Sequence, residues 1–249
     1  MAIEVFNRYE NKYLIGEKTF ARIRERLSGY MELDAYNRQH ETYQIANLYY
    51  DTEDNHLIRT SLAKPAYREK VRLRAYGTPD GDSVVYAEIK KKVRGLVNKR
   101  RTAMKLSAAY GFLESGEPPE PEPGMNRQVA AELEYILATR KLVPAAYISY
   151  DRLAYFGEGD LRVSFDANIR SRRTDLRLES GAYGGELLGT GERLLEIKTS
   201  RAFPLWLCGL LSENKVYPAS FSKYGAEYKS LLRGKAAADA PYAKTAVGL

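Results

Sequence analysis

Basic and acidic side chains set two residues apart are the chemically capable feature of this sequence. Side chains at i and i+2 of an extended strand share one face. On that spacing Glu10 joins Lys12, and Arg68, Lys70, Arg72 and Arg74 form a row. Tyr86, Glu88 and Lys90 lie together, as do Lys99 and Arg101, Tyr150 and Arg152, and Arg162, Ser164 and Asp166. Glu196 joins Lys198, and Ser222 precedes Lys223. The alternate positions are apolar: Val71 and Leu73, Ile89, Val163 and Phe165, Leu195 and Ile197. Guanidinium groups present planar forks to anionic oxygens, and ammonium groups present point charges. Carboxylates beside them suit a hard divalent cation. The residue types point to gripping a polyanion.

Other chemistries lack their residues. The 249-residue chain has two histidines, His40 and His56, and one cysteine, Cys208. That set does not build a zinc site of nitrogen and sulfur ligands or a histidine-based nucleophilic hydrolase. One cysteine forms no internal disulfide and fits a reducing compartment. The sequence has 39 Lys+Arg against 32 Asp+Glu, for a net charge of +7. With 44% hydrophobic and 11% aromatic residues it reads as a globular chain rather than a disordered one. No apolar run is long enough for a membrane span, and Met1–Arg8 offers no signal peptide. A cytoplasmic location follows as an expectation.

The elements that must position these side chains are mostly strands. Period-two alternation marks Phe6–Tyr13, Ala46–Asp51, Ala66–Tyr76, Val84–Lys92, Val97–Leu106, Ala146–Tyr155, Leu161–Asp166, Asp175–Leu178 and Leu194–Lys198. Three helices follow from 3.6-residue periodicity: Glu17–Met31, Asn126–Arg140 and Pro204–Glu213. A fourth follows Lys223 and ends at Gly234. Arg94-Gly95 marks a tight hairpin turn, and the acidic, proline-rich stretch 115–124 an exposed connection. The chain reads as one domain over residues 1–234 with a C-terminal tail over 235–249.

Two arrangements fit this pattern. One is an antiparallel sheet with a solvated charged face, its Glu–Lys pairs ordinary surface ladders. In the other, the apolar face turns outward under the helices and the charged face turns inward. The fold class is then α+β, a closed antiparallel β-barrel with helices packed on the outside and a polar lumen. Unpaired buried cations cost several kcal/mol each, so such a lumen needs water, counter-ions or a polyanion.

The order of these pieces resembles the polyphosphate polymerase (VTC) domain, a branch of the CYTH-like triphosphate tunnel metalloenzymes. The matching segments are Arg8-Tyr-Glu-Asn-Lys-Tyr13, Leu48-Tyr-Tyr-Asp-Thr52, Tyr67-Arg-Glu-Lys-Val-Arg-Leu-Arg74, Tyr86-Ala-Glu-Ile-Lys90, Lys99-Arg-Arg101, Tyr150-Asp-Arg152, Leu161-Arg-Val-Ser-Phe-Asp166, Leu195-Glu-Ile-Lys198 and Phe221-Ser-Lys-Tyr224. The resemblance implies transfer of the γ-phosphate of ATP to a growing inorganic polyphosphate chain, aided by Mn²⁺ or Mg²⁺. It implies catalytic roles for Arg72, Arg74, Lys90, Arg152 and Lys223. Lys12, Lys99, Arg101, Arg162, Lys198, Ser222 and Tyr150 are the implied phosphate-binding set. Glu196 is the implied metal ligand, with Glu10 and Glu88 as further candidates. The partners implied are ATP, polyphosphate and pyrophosphate, with no nucleic acid. The wider superfamily opens on Glu-x-Glu-x-Lys, and here Arg8 replaces the first glutamate. That departure argues against a plain two-metal triphosphatase. A triphosphatase acting on tripolyphosphate or nucleoside triphosphates, and a non-catalytic binding module for polyphosphate or inositol phosphates, remain as alternatives.

Overall fold

The computed structural model describes residues 9–94 and 96–238. In chain order the elements are β1 (Tyr9–Ile15), α1 (Glu17–Leu27), β2 (Glu32–Leu33), a 3₁₀ turn (Ala35–Arg38), β3 (Tyr43–Asp51), α2 (His56–Ala63), β4 (Tyr67–Tyr76), β5 (Val84–Val93) and β6 (Leu96–Lys105). There follow α3 (Leu106–Ser115), α4 (Arg127–Thr139), β7 (Val143–Phe156), β8 (Arg162–Arg172), β9 (Gly185–Glu186), β10 (Arg193–Thr199), α5 (Leu205–Glu213) and α6 (Lys223–Ala238). All strand pairs are antiparallel, and the main order is β1-β10-β8-β7-β3-β4-β5-β6.

The alternation in the sequence becomes two faces of this sheet. Leu48, Leu73 and Ile89 point outward into a core under α3 and α4, where Phe112 and Leu133 meet them. Val163, Phe165, Leu195 and Ile197 point outward beneath α1 and α5, against Ile23, Leu27 and Leu207. Burying each of these side chains contributes about 1.5–3 kcal/mol. The charged residues between them are thereby turned to the concave side.

Two features of the expected barrel are corrected. The sheet is an open, curled half-barrel, and β1 and β6 form no ladder with each other. Nor do all helices lie outside. Tyr224 and Tyr228 of α6 and Ile58 of α2 pack with Ile45, Tyr49, Ile148 and Tyr150, which share the concave face. Tyr224 stacks on Tyr49 with ring centroids 4.6 Å apart. Helix packing therefore covers one part of the concave face that a ladder would otherwise enclose. Curvature is helped by an irregularity where Ser149 pairs Arg170 but Asp151 pairs Ala167. Asn168 sits there with φ 50° and donates to Asp151. An extra residue of this kind bends a strand and increases its twist.

Local differences have local causes. The segment 175–178, expected as a strand, is a loop. The buried guanidinium of Arg172 gathers it by donating to the carbonyls of Asp175, Arg177, Gly181 and Tyr183. α1 stops at Leu27 and α6 runs to Ala238. Arg94 adopts the expected turn with φ 46°. Gly95 and the tail beyond residue 238 lie outside the described residues. α2 and α3 were not expected from the sequence. α2 is anchored by Asp51, which is fully buried at the end of β3. Its carboxylate accepts from the backbone N–H of Thr52 (2.8 Å), Leu57 (2.8 Å) and Ile58 (3.0 Å) and from the Tyr224 hydroxyl (2.9 Å).

This one acceptor ties β3, α2 and α6 together. Asp51→Ala strands several buried donors and should lower stability by about 3 kcal/mol. Urea unfolding followed by far-UV circular dichroism should show a reduced midpoint with an unchanged slope; an unchanged midpoint would contradict the role assigned to Asp51.

Candidate functional site

Among the described residues the concave face carries the cationic side chains Lys12, Arg68, Lys70, Arg72, Arg74, Lys90, Lys92, Lys99, Arg101, Arg152, Arg162, Lys198 and Lys223. Glu10, Glu88, Asp166 and Glu196 share it, and Asp34 meets Arg162 at its rim. Register explains the pairing. Lys12 stands opposite Glu196, Glu10 opposite Lys198, Arg152 opposite Asp166 and Arg72 opposite Glu88.

One centre is Glu88, on β5 and almost fully buried. Arg72 grips its Oε2 through Nε (2.8 Å) and Nη2 (2.6 Å), and Lys99 Nζ lies 2.5 Å from Oε1. Arg74 Nε lies 3.9 Å away. Burial alone would raise the Glu88 pKa, but Arg74, Arg72 and Lys99 together hold it well below the carboxylate range. Arg72 also donates to the Tyr49 hydroxyl (2.9 Å), and Arg74 to Asn47 Oδ1 (3.0 Å) and the Tyr150 hydroxyl (3.1 Å).

The second centre joins Asp166 and Glu196. Arg152 donates to both oxygens of Asp166, at 2.7 and 2.8 Å, and Lys223 reaches Asp166 Oδ2 at 2.5 Å. Glu196 is met by Lys198 (2.6 Å), Lys12 (3.2 Å), Lys223 (3.5 Å) and Arg152 (3.7 Å). Burial opposes the charge on Glu196, yet Lys12, Lys198, Lys223 and Arg152 keep its pKa far down. Glu10 shares Lys12 at 3.0 Å and reaches across to Lys90 on β5 at 3.3 Å. That contact bridges strands at distant positions in the sheet order.

Tyr150 lies between the centres, with Arg152 and Lys223 over its ring at 5.2 and 4.2 Å. Burial would raise its phenol pKa, but Arg74, Arg152 and Lys223 lower it. Arg101 lies over the Tyr86 ring at 4.5 Å. Arg162 sits at one rim, donating to Asp34 (3.2 Å) and Tyr43 (3.4 Å). Ser222 accepts from Lys70 Nζ at 3.0 Å. The expected site residues are thus drawn into one concave surface, though not into one cluster. Among the described residues, no group of three or more His, Cys, Asp or Glu side chains is placed to hold a metal ion. Glu10 and Glu196 share a lysine, whereas Glu88 is engaged by its own three cations. Two carboxylates suit a hard divalent ion whose remaining ligands are water and phosphate oxygens. Arg8 lies outside the described residues.

Sequence reasoning placed Lys70 on the right face but left it out of the site. It also missed Asp34, Asn47 and Tyr49, which hold the arginines in place. Lys70 stands directly opposite Lys90, and Lys90 opposite Lys99. Like charges facing across a ladder repel. Burial, with Lys90, Lys12, Arg72 and Arg68 nearby, pushes the Lys70 ammonium down to about 7. Burial, with Arg74 and Arg72, outweighs Glu88 and pushes Lys99 down to about 7.

Comparison with known proteins follows the same lines. A family model described as the VTC domain matches residues 7–232. No curated protein matches the chain. A solved structure from Bacillus halodurans, named for adenylate cyclase, superposes with a TM-score of 0.56 at 15% identity, covering 88% of this chain and 96% of that one. A Hippeastrum protein named for adenylyl cyclase, and described as having a dominant triphosphatase activity, gives 0.54 at 17% identity, covering 92% of this chain and 96% of its own. These likenesses show that the chain shares its fold with both proteins.

The depressed lysines give anion binding a sign with pH. Above pH 7 Lys70 and Lys99 lose their protons in the free protein, and an adjacent anion draws them back. Binding should therefore take up protons at pH 8, and affinity should fall as pH rises, by up to about tenfold per unit for each lysine. Sulfate, which is fully ionised in this range, makes the protons counted by calorimetry in two buffers belong to the protein. Lys70→Met should reduce the uptake, and binding independent of pH between 7 and 9 would contradict these assignments.

Proposed function

The chain belongs to the VTC domain family, and from that premise we propose that it transfers the terminal phosphate of ATP to an inorganic polyphosphate chain. The observation that carries the reading is the Lys70–Lys90–Lys99 row, set among arginines on a concave surface where, among the described residues, several cations share each buried carboxylate. Such a surface is short of negative charge, and a polyphosphate supplies it in a linear form that matches the row. Phosphoryl transfer asks a protein mainly for positioning and charge stabilisation. Arg72, Arg74 and Arg152 would orient the triphosphate through their forks. Lys90, Lys99 and Lys223 would offset charge on the transferring group. Lys12, Arg101, Arg162, Lys198, Ser222 and Tyr150 would hold the flanking phosphates.

A terminal phosphate oxygen of the acceptor chain is already an anionic nucleophile. No general base is required, which accords with a chain holding two histidines. Glu196 and Glu10 would hold Mn²⁺ or Mg²⁺, and such an ion would neutralise charge on the leaving diphosphate. Glu88 fits a different role, as the fixed counter-ion of Arg72. A triphosphatase on the same cavity is the second reading, favoured by the dominant triphosphatase activity described for the Hippeastrum protein.

Incubation with ATP, Mn²⁺ and a short polyphosphate primer should yield ADP and chains resistant to a terminal phosphatase. Arg72→Ala and Glu196→Gln should each reduce turnover by about 100-fold or more. Release of inorganic phosphate without chain growth would move the assignment to triphosphatase. Tight, salt-sensitive polyphosphate binding with no turnover would reduce the protein to a binding module.

A further inference from the structure

One end of the concave face carries a chemistry that phosphate binding does not use. Tyr43, Tyr76 and Tyr86 come from the neighbouring strands β3, β4 and β5, and Tyr36 stands over them from the 3₁₀ turn. The Tyr36 and Tyr76 rings are nearly parallel, 4° apart in plane, with centroids 6.2 Å apart. Tyr43 lies 5.5 Å from Tyr36, and Tyr86 meets Tyr76 edge-on at 5.9 Å. The Arg101 guanidinium covers Tyr86 at 4.5 Å. These rings do not form a buried core. Tyr36 is 61% exposed and Tyr76 42% exposed.

Their position along the strands supplies the link to a ligand. Tyr76 follows Arg74 by two residues on the same face, and Tyr86 stands directly opposite Arg74. Two residues of strand span about 6.6 Å. A phosphate held by Arg74 therefore has part-exposed tyrosines within a short step outward, about the reach of a sugar. Tyrosine rings stack on any nucleobase, and the interaction is tolerant of which base it is. We propose that the Tyr36–Tyr76 pair, backed by Tyr43 and Tyr86, is the platform for the base of a nucleoside triphosphate whose phosphates enter the cationic cavity. The inference rests on the reading of that cavity as a triphosphate site. It gives the cavity a polarity, with the nucleoside at the aromatic end and the distal phosphates towards Lys70 and Lys90.

Comparing ATP with tripolyphosphate isolates the base. Calorimetric titration of the full chain with each ligand should show Tyr36→Ala binding ATP on the order of tenfold more weakly. Tripolyphosphate binding should be unchanged, and Tyr36→Phe should restore ATP binding, because the ring face and not the hydroxyl is used. An equal loss for both ligands, or no loss for ATP, overturns the platform while leaving the phosphate cavity standing. If the unaltered protein binds neither ligand, the cavity reading fails and the platform falls with it.

Discussion

Charge compensation inside a concave surface is the constraint on which this structure depends. An isolated charge buried away from water is destabilised by several kcal/mol, so cations facing inward must find partners. Buried carboxylates meet this demand by being shared. Glu196 alone has four basic groups within 3.7 Å. Removing such a carboxylate would leave several cations without a counter-charge at once. The burial of Glu88 and Asp166 is tolerated because bidentate or paired donors surround them. The same sharing leaves more cations than carboxylates on this surface, and on the proposed reading that surplus is what receives a phosphate chain.

The apolar half of the alternation stabilises this arrangement. Each strand that turns a cation inward turns a Leu, Ile, Val or Phe outward, under α3 and α4 on one side and α1 and α5 on the other. Closure of a barrel by hydrogen bonds is not needed to gather the charges. Curvature brings Glu10 of β1 within 3.3 Å of Lys90 on β5, and α6 packs its tyrosines against the concave face. A surface completed by side chains and a helix keeps the same inward chemistry as a closed ladder would.

Period-two spacing made most of this legible from the sequence. It identified the strands that carry Arg72, Glu88, Arg152, Arg162 and Glu196, and which side chains share a face. Closure was not legible, because alternation describes a strand's two faces and says nothing of its edges. α2 and α3 were missed for a related reason. α2 is eight residues long, and its anchor is an aspartate belonging to the preceding strand. The loop at 175–178 alternates like a strand, but the side chain of Arg172 supplies its organising contacts. Partners of the site arginines were equally hidden. Arg162 meets Tyr43 across 119 residues of sequence, and Lys70 meets Ser222 across 152. No local pattern encodes contacts at that range.

Register divides the labour between arginine and lysine. Arg72 and Arg152 each face a carboxylate directly across a ladder, and each has its Nε and Nη2 edge taken by that neighbour. A planar fork held along one edge has its orientation fixed before any ligand arrives, so little rotamer freedom remains to be lost on binding. Glu88 and Asp166 are on this account positioning residues, acting through the guanidinium groups they hold. Lys70 and Lys99 each stand opposite Lys90, and like charges facing across a ladder repel. Burial and neighbouring cations push Lys70 and Lys99 down to about 7. The arginines thus supply permanent, aimed charge, and Lys70 and Lys99 supply charge that rises when an anion is present. A surface built this way limits its own repulsion when empty and strengthens its hold as a polyanion enters.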